Sequence, residues 1–122
     1  MTESELKTRT KQFAHRCVKL AFALPENKLG KHIQGQLIRS ATSVAANYRA
    51  ACIAQSRKGF AAKLSIVVEE VDESNFWLEF TVDEQLLHRK QVDALQTESA
   101  ELTSIFIASR KTVQKKSIIN SQ

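Results

Sequence analysis

The sequence predicts an all-α protein: an up-down-up-down left-handed four-helix bundle, one domain over residues 1–122. Three observations support this prediction. Apolar residues recur at spacings of three and four along four segments, the period of an amphipathic helix. Three glycines and one proline in 122 residues are too few for a sheet or a turn-rich fold. Short breaks separate the segments, and amphipathic helices joined in this way favour a bundle with shallow crossing angles.

The four helices are predicted over residues 3–23, 30–55, 58–87 and 92–115. Pro25 ends the first helix because proline cannot continue the hydrogen-bond ladder. Ser56 is expected to cap the third, since its hydroxyl can accept a hydrogen bond from a free amide at a helix start. The tail, 116–122, is expected to fray. The predicted core stripes are Leu6, Thr10, Phe13, Cys17, Leu20 and Leu24; Ile33, Leu37, Ala41, Val44, Tyr48 and Ala51; Phe60, Leu64, Val67, Val71, Ser74 and Leu78; and Val92, Leu95, Ser99, Leu102, Phe106, Ser109 and Val113.

Residues 36–48 form the central segment of the second helix. Most of their side chains are small, and Arg39 is their one charge, so neighbouring helices can approach closely. The polar residues of this segment fall at spacings of three and four along one side, which predicts a hydrogen-bonded seam with the third helix or with a neighbouring subunit. They are Gln36, Arg39, Ser43 and Asn47, with Ser40 beside them. Gly35 lowers helix propensity by about 1 kcal/mol relative to Ala, and close packing is a reason for a glycine there.

Charge is distributed unevenly along the chain, whose net charge is +5. Residues 1–60 carry 11 Lys and Arg against 3 Asp and Glu, and residues 61–122 carry 7 against 10. No carboxylate lies between Glu26 and Glu69, and no Lys or Arg lies between Lys63 and Arg89. Two interpretations stay open: the second and third helices neutralise each other, or a basic surface remains for an acidic partner such as nucleic acid. The candidate binding residues are Lys7, Arg9, Lys11, Arg16, Lys19, Arg49, Arg57 and Lys58.

Glu69, Glu70 and Glu73 crowd one side of the third helix, at spacings where like charges repel unless a cation compensates them. Arg39 and Arg49 of the second helix are the expected partners. An Arg–carboxylate pair of this kind can set helix register even where its net stabilisation is small.

The aromatic residues Phe76, Trp77 and Phe80 lie partly off the core stripe of the third helix. Leftover aromatic surface of this kind indicates a subunit interface, and together with the basic second helix it predicts a homo-oligomer. The alternative is that Trp77 covers one end of the core.

Motifs for catalysis, metals or phosphate loops are not found. A di-iron bundle requires Glu-x-x-His on two helices, but Gln12, Leu29 and Gln85 stand three residues before the histidines. Cys17 and Cys52 lack zinc-site spacing and are expected to be buried free thiols. No enzyme activity, cofactor, metal or small-molecule substrate is therefore expected. No apolar run approaches the length of a membrane span, and the charged N-terminus is unlike a signal peptide, so a cytoplasmic protein is expected.

Three segments resemble a known family: residues 6–14 followed by Leu24-Pro25, residues 36–51, and residues 63–78. They are similar to the family called four-helix bundle proteins or 23S rRNA intervening-sequence proteins. The residues that match its polar pattern are Gln36, Arg39, Ser40, Ser43, Asn47 and Glu73. The chain departs from the commoner pattern, which has Gly-Ser in place of Glu69-Glu70 and an acidic residue in place of Gly59.

This resemblance implies a small bacterial cytoplasmic protein with a left-handed four-helix bundle that assembles as a homopentamer. Some members are encoded within intervening sequences of 23S rRNA genes. Distant relatives are accessory proteins that bind a reverse transcriptase and nucleic acid, and no enzyme activity is implied. The resulting hypothesis is a non-enzymatic homo-oligomer that binds RNA or a nucleoprotein through its basic surface. The alternative is a protein-interaction scaffold without a nucleic-acid role.

Overall fold

The predicted all-α fold is confirmed: a computed structural model shows four helices packed as a bundle. It describes the backbone of residues 1–121 and the side chains of residues 1–116. The helices are α1 (Glu3–Phe22), α2 (Lys28–Cys52), α3 (Arg57–Asp83) and α4 (Arg89–Ser121). Each helix packs against the next in the chain, and a looser α1–α4 contact closes the ring. The left-handed crossing and the up-down-up-down order stay predictions.

The core consists of the apolar stripes that the spacing predicts. Phe13 of α1, Leu37 of α2, Val67 of α3 and Phe106 of α4 are completely buried. Tyr48 and Phe106 meet across the core with their ring centroids 5.1 Å apart. Four predicted members, Leu20, Phe60, Ser109 and Val113, are only partly buried, because they lie at the margins of the stripes.

Side-chain caps set three of the helix starts. The hydroxyl of Thr2 accepts a hydrogen bond from the Glu5 amide, and Asn27 accepts one from the Gly30 amide at 2.7 Å. The predicted cap by Ser56 is present, with its hydroxyl 3.0 Å from the amide nitrogen of Gly59. Because Ser56 must have extended backbone to serve as this cap, α2 ends at Cys52, before the predicted residue 55.

Helix α3 ends at Asp83, before the predicted residue 87. Gln85 has a left-handed φ of 57°, and the Leu86 amide donates to the Thr81 carbonyl at 3.0 Å, which together close the helix end as a left-handed cap. The apolar residues beyond this point concealed the end, since glycine usually marks such a turn. Helix α4 starts at Arg89, earlier than residue 92, because the side chain of Gln91 accepts a hydrogen bond from the His88 amide.

The predicted frayed tail is wrong up to Ser121, to which α4 continues as a helix; Gln122 lies outside the described residues. The packing explanation for Gly35 is also wrong, since a Cβ at this position would meet no atom within 4 Å. The glycine that close packing requires is Gly30, where a Cβ would come within 2.0 Å of the Pro25 carbonyl oxygen.

Candidate basic groove and paired arginines

An open groove of about 780 Å³ runs between α1 and α2. Basic side chains stand on both helices, with Lys7 and Lys11 on α1 and Arg49 on α2. Small apolar side chains lie between them because alanines occupy most of the facing positions. Among the residues whose side chains the structure describes, no carboxylate lines this groove. Its lining residues are Lys7, Thr8, Lys11, Ala14, His15, Val18, Thr42, Ala45, Ala46 and Arg49.

Lys7 has one acidic neighbour, Glu3, at 3.4 Å on the same helix. Both side chains are exposed, so water and salt screen this pair strongly and it holds Lys7 only weakly. Among the side chains of residues 1–116, no carboxylate lies within ion-pair distance of Lys11 or Arg49. Most of the positive charge of the groove is therefore not neutralised by ion pairs.

Arg9 was predicted as a binding residue, but it faces α4 and not the groove. Its guanidinium donates to both carboxylate oxygens of Glu98, at 2.8 Å from Nε and 2.6 Å from Nη2, and to Glu101 at 2.9 Å. Only 22% of the Arg9 side chain and 14% of the Glu98 side chain are exposed. The hydrogen bond and charge of Arg9 lower the pKa of Glu98, although burial opposes this shift. Arg9 is thus an internal ion-pair residue.

The other predicted binding residues lie outside the groove. Arg16 and Lys19 are exposed on α1, and the positive charge of Arg16 contributes to lowering the pKa of Glu98. Arg57 lines a separate depression that also contains Glu3. Lys58 is exposed in the first turn of α3.

Arg39 joins α2 to α3 by pairing with two carboxylates, as Arg9 joins α1 to α4. It donates to Glu70 at 3.0 Å and to Glu73, and Trp77 Nε1 donates to the same Glu73 carboxylate at 3.3 Å. The Arg39 side chain is 48% exposed, so this pair is more solvated than that of Arg9. Arg39 is therefore the cation that compensates the crowded carboxylates of α3.

The structure brings only part of the predicted polar seam to α3. Besides Arg39, Ser40 takes part: Ser74 donates to its hydroxyl at 3.0 Å, and both side chains are buried. Asn47 instead donates to the Ser43 carbonyl of its own helix. Arg49 and Glu69 do not form the expected pair, since Arg49 lines the groove on the α1 side and Glu69 is exposed.

An aromatic patch, defined as His32, Phe76, Trp77 and Phe80, lies on the surface formed by α2 and α3. Phe76 is 50% exposed and stacks on Phe80, with centroids 5.8 Å apart. Trp77 meets Phe76 and His32 edge to face while also packing against the core. Trp77 thus covers part of the core, as the alternative interpretation has it, while Phe76 remains half exposed.

The thiols are poor nucleophiles. Burial raises the pKa of Cys17 to about 12. Burial also raises the pKa of Cys52, which is only partly buried, whereas the sequence predicted a buried thiol. Both are therefore protonated at neutral pH. The part of the chain that the structure describes contains no cluster of three His, Cys, Asp or Glu that could hold a metal ion. It also contains no helix long and apolar enough to cross a membrane.

Sequence reasoning found Lys7, Lys11 and Arg49 but missed His15 and the alanine floor. The signal for His15 was its place four residues after Lys11, in a row that lies along one side of a helix. The sequence could not show which neighbouring helix this row faces.

Comparison with known families and structures gives a family match and matches to solved structures. The profile described as "23S rRNA-intervening sequence protein" matches residues 2–108. A crystal structure of a protein of unknown function from the S23 ribosomal protein family of Bacteroides thetaiotaomicron is 33% identical, with a TM-score of 0.80. That match covers 86% of this chain and 97% of the other. A comparison with curated protein sequences finds no significant match.

Proposed function

Because the chain belongs to the 23S rRNA-intervening sequence protein family, we propose that it binds RNA or a nucleoprotein through its basic surface. The observation that carries this proposal is the groove in which Lys7, Lys11 and Arg49 gather without a lining carboxylate. Cations in this state release condensed counterions from a polyanion when they contact its phosphates, and this release favours binding.

The distribution of charge around the bundle supports the same proposal. The acidic stretch of the sequence is on α3, whose backbone does not closely approach that of α1. Its exposed carboxylates include Glu69, Asp72 and Glu79. Among the described residues, the ion pairs between α2 and α3 are those of Arg39 with Glu70 and Glu73, so the carboxylates of α3 do not pair with the cations of the groove.

Salt-dependent RNA binding tests this function. Fluorescence anisotropy with labelled RNA should show the logarithm of affinity falling linearly with the logarithm of salt concentration, between about 50 and 200 mM. An acidic protein of similar size is the control for non-specific adsorption. Absence of RNA binding at the lowest salt concentration contradicts the proposal.

A second candidate is a scaffold that binds another protein, and the aromatic patch supports it. Half-exposed Phe76, beside partly exposed Trp77 and Phe80, is apolar surface of the kind found at interface cores. Affinity purification with and without nuclease separates the two functions. A protein partner that persists after nuclease treatment supports the scaffold, whereas loss of every partner on nuclease treatment supports RNA binding.

The same patch supports self-association as a homo-oligomer, for which the sequence resemblance implies a pentamer. Multi-angle light scattering at micromolar concentration should give a multiple of 13.7 kDa. Phe76→Ser should shift the distribution toward the monomer, because it removes apolar area at the centre of the patch. A wild-type protein that scatters as the monomer alone overturns self-association.

We propose in addition that the protein is non-enzymatic and cytoplasmic and has no cofactor. The two thiols support it, because burial raises their pKa values and so disfavours the thiolate that nucleophilic chemistry needs. A reducing compartment is compatible with two free cysteines. Localisation by a fluorescent fusion, with a membrane-inserted control, tests the compartment.

A further inference from the structure

The basic residues of α1 that line the groove form a regular row. Lys7, Lys11 and His15 follow one another at intervals of four residues, or about 6 Å along the axis at the helical rise of 1.5 Å per residue. This interval is comparable to the separation of neighbouring phosphates along one nucleic-acid strand. Arg49 stands on the opposite wall of the same groove, so the cations approach a ligand from both sides.

The floor of the groove has no side chain that would distinguish one base from another. Ala14, Ala45 and Ala46 are too small to offer a stacking surface, whereas single-strand proteins that hold bases usually stack them on aromatic rings. Phe76 is exposed in the patch on α2 and α3, and Phe22, exposed at the end of α1, is not among the residues that line the groove. The groove therefore offers contacts to phosphate and ribose, and few to bases.

We propose that this groove binds one strand of RNA by its phosphodiester backbone, with phosphates along Lys7, Lys11 and His15, Arg49 opposite, and bases directed outward. The inference rests on the proposed RNA-binding function and assigns it a site and a type of ligand. We expect this groove between two adjacent helices to admit one strand and a duplex to meet only its outer rim. Binding is thus selective for single strands and tolerant of sequence.

His15 lies among cations. Its charged neighbours are Lys11 and Lys19 one turn away on α1 and Arg49 on the wall formed by α2. The carboxylates of α4 that face α1 are bound to Arg9 and do not line the groove.

The first experiment compares single-stranded oligonucleotides of U, A and C with a blunt RNA duplex of equal length, by anisotropy at 0.1 M salt. The three single strands should bind with affinities within about threefold of one another and at least tenfold more tightly than the duplex. Equal or tighter binding of the duplex overturns the strand assignment. A base preference above tenfold overturns backbone recognition.

The second experiment places the site. Lys11→Gln and Arg49→Gln should each weaken single-strand binding about fivefold at 0.1 M salt and reduce the salt slope by about 0.7, the value for one lost phosphate contact. Lys90→Gln is the matched control, because Lys90 is exposed on α4 outside the groove; it should change affinity less than twofold. Circular dichroism verifies that each variant is folded.

The third experiment tests His15. His15→Ala should weaken single-strand binding at 0.1 M salt, because it removes the imidazole from the row along α1, whereas Lys90→Gln should change the affinity less than twofold. An identical change in both variants overturns the role of His15. If wild-type protein binds RNA but the groove variants bind equally well, the site is wrong and the proposed function stands. If wild-type protein binds no RNA, both are wrong.

Discussion

The cations on the two sides of helix α1 differ in whether carboxylates pair with them. On the side facing α4, Arg9 makes three charge-assisted hydrogen bonds to Glu98 and Glu101. On the side facing α2, Lys11 lines an open groove without a carboxylate. The two residues are separated by two positions in sequence, yet one is held in ion pairs within the protein and the other lines an open groove.

This difference shows that a cluster of cations in a sequence does not define a binding surface. Lys11 lines a groove with alanines of α2, whereas Arg9 pairs with carboxylates of α4. Arg39 is an intermediate case, paired with Glu70 and Glu73 but about half exposed. The three residues thus form a series from paired to unpaired cations, and substitutions along it test the comparison.

The largest effect on stability is expected at Arg9. Arg9→Met should lower the free energy of unfolding by about 1–3 kcal/mol, because the largely buried carboxylate of Glu98 would lose its bidentate partner. Urea denaturation measures this change. Lys11→Met is the control on the other side of the helix, and an equal loss in both variants contradicts the difference between the two sides.

The contribution of Arg9 should also depend on pH. The pKa of Glu98 is lowered in the folded protein, so the unfolded chain takes up this proton first as pH falls. The stabilisation is complete above the unfolded pKa, about 4.3 for glutamate, and is lost as pH falls through the folded pKa. The stability difference between wild type and Arg9→Met should therefore narrow below about pH 4. A difference that stays constant from neutral pH to acid contradicts this linkage.

A smaller effect is expected at Arg39. Arg39→Met should lower the free energy of unfolding by less than about 1 kcal/mol, because solvent screens an ion pair with an exposed partner. Repeating the urea titration at high salt should reduce this loss further, while that of Arg9→Met changes less. A loss larger than that of Arg9→Met reverses the order of the two pairs.

The smallest effect on stability is expected in the groove. Lys11→Gln should change the free energy of unfolding by no more than about 0.5 kcal/mol, as is usual for exposed positions without partners. The same protein should bind single-stranded RNA about fivefold more weakly at 0.1 M salt. Loss of stability without loss of affinity indicates that Lys11 is a structural residue.

The helices and the core could be predicted because a period of 3.6 residues is a local property. Leu37 and Phe106, for example, were assigned to the core from spacing alone, and both are completely buried. Helix ends were harder, since the end of α3 depends on Gln85 adopting a left-handed conformation that glycine more often signals. Gly30 was likewise overlooked, because its need for space arises from the Pro25 carbonyl.

The candidate site was predictable in composition but not in arrangement. The sequence identified Lys7, Lys11 and Arg49, which line the groove, together with Arg9, Arg16 and Arg57, which do not. Nothing in the spacing of these residues separates the two sets. The basic and acidic stretches also pointed to neutralisation between α2 and α3, which is confined in the structure to Arg39 and its two partners.

By itself, the sequence determined that this chain forms four helices, which residues those helices bury, and that its charge is segregated along its length. Only the tertiary structure decided which cations are neutralised and that His15 joins the groove. The physical reason is that helix formation and burial follow from the pattern within each segment, whereas an ion pair needs the side chains of two segments within about 4 Å. That distance depends on the rotation of each helix about its axis.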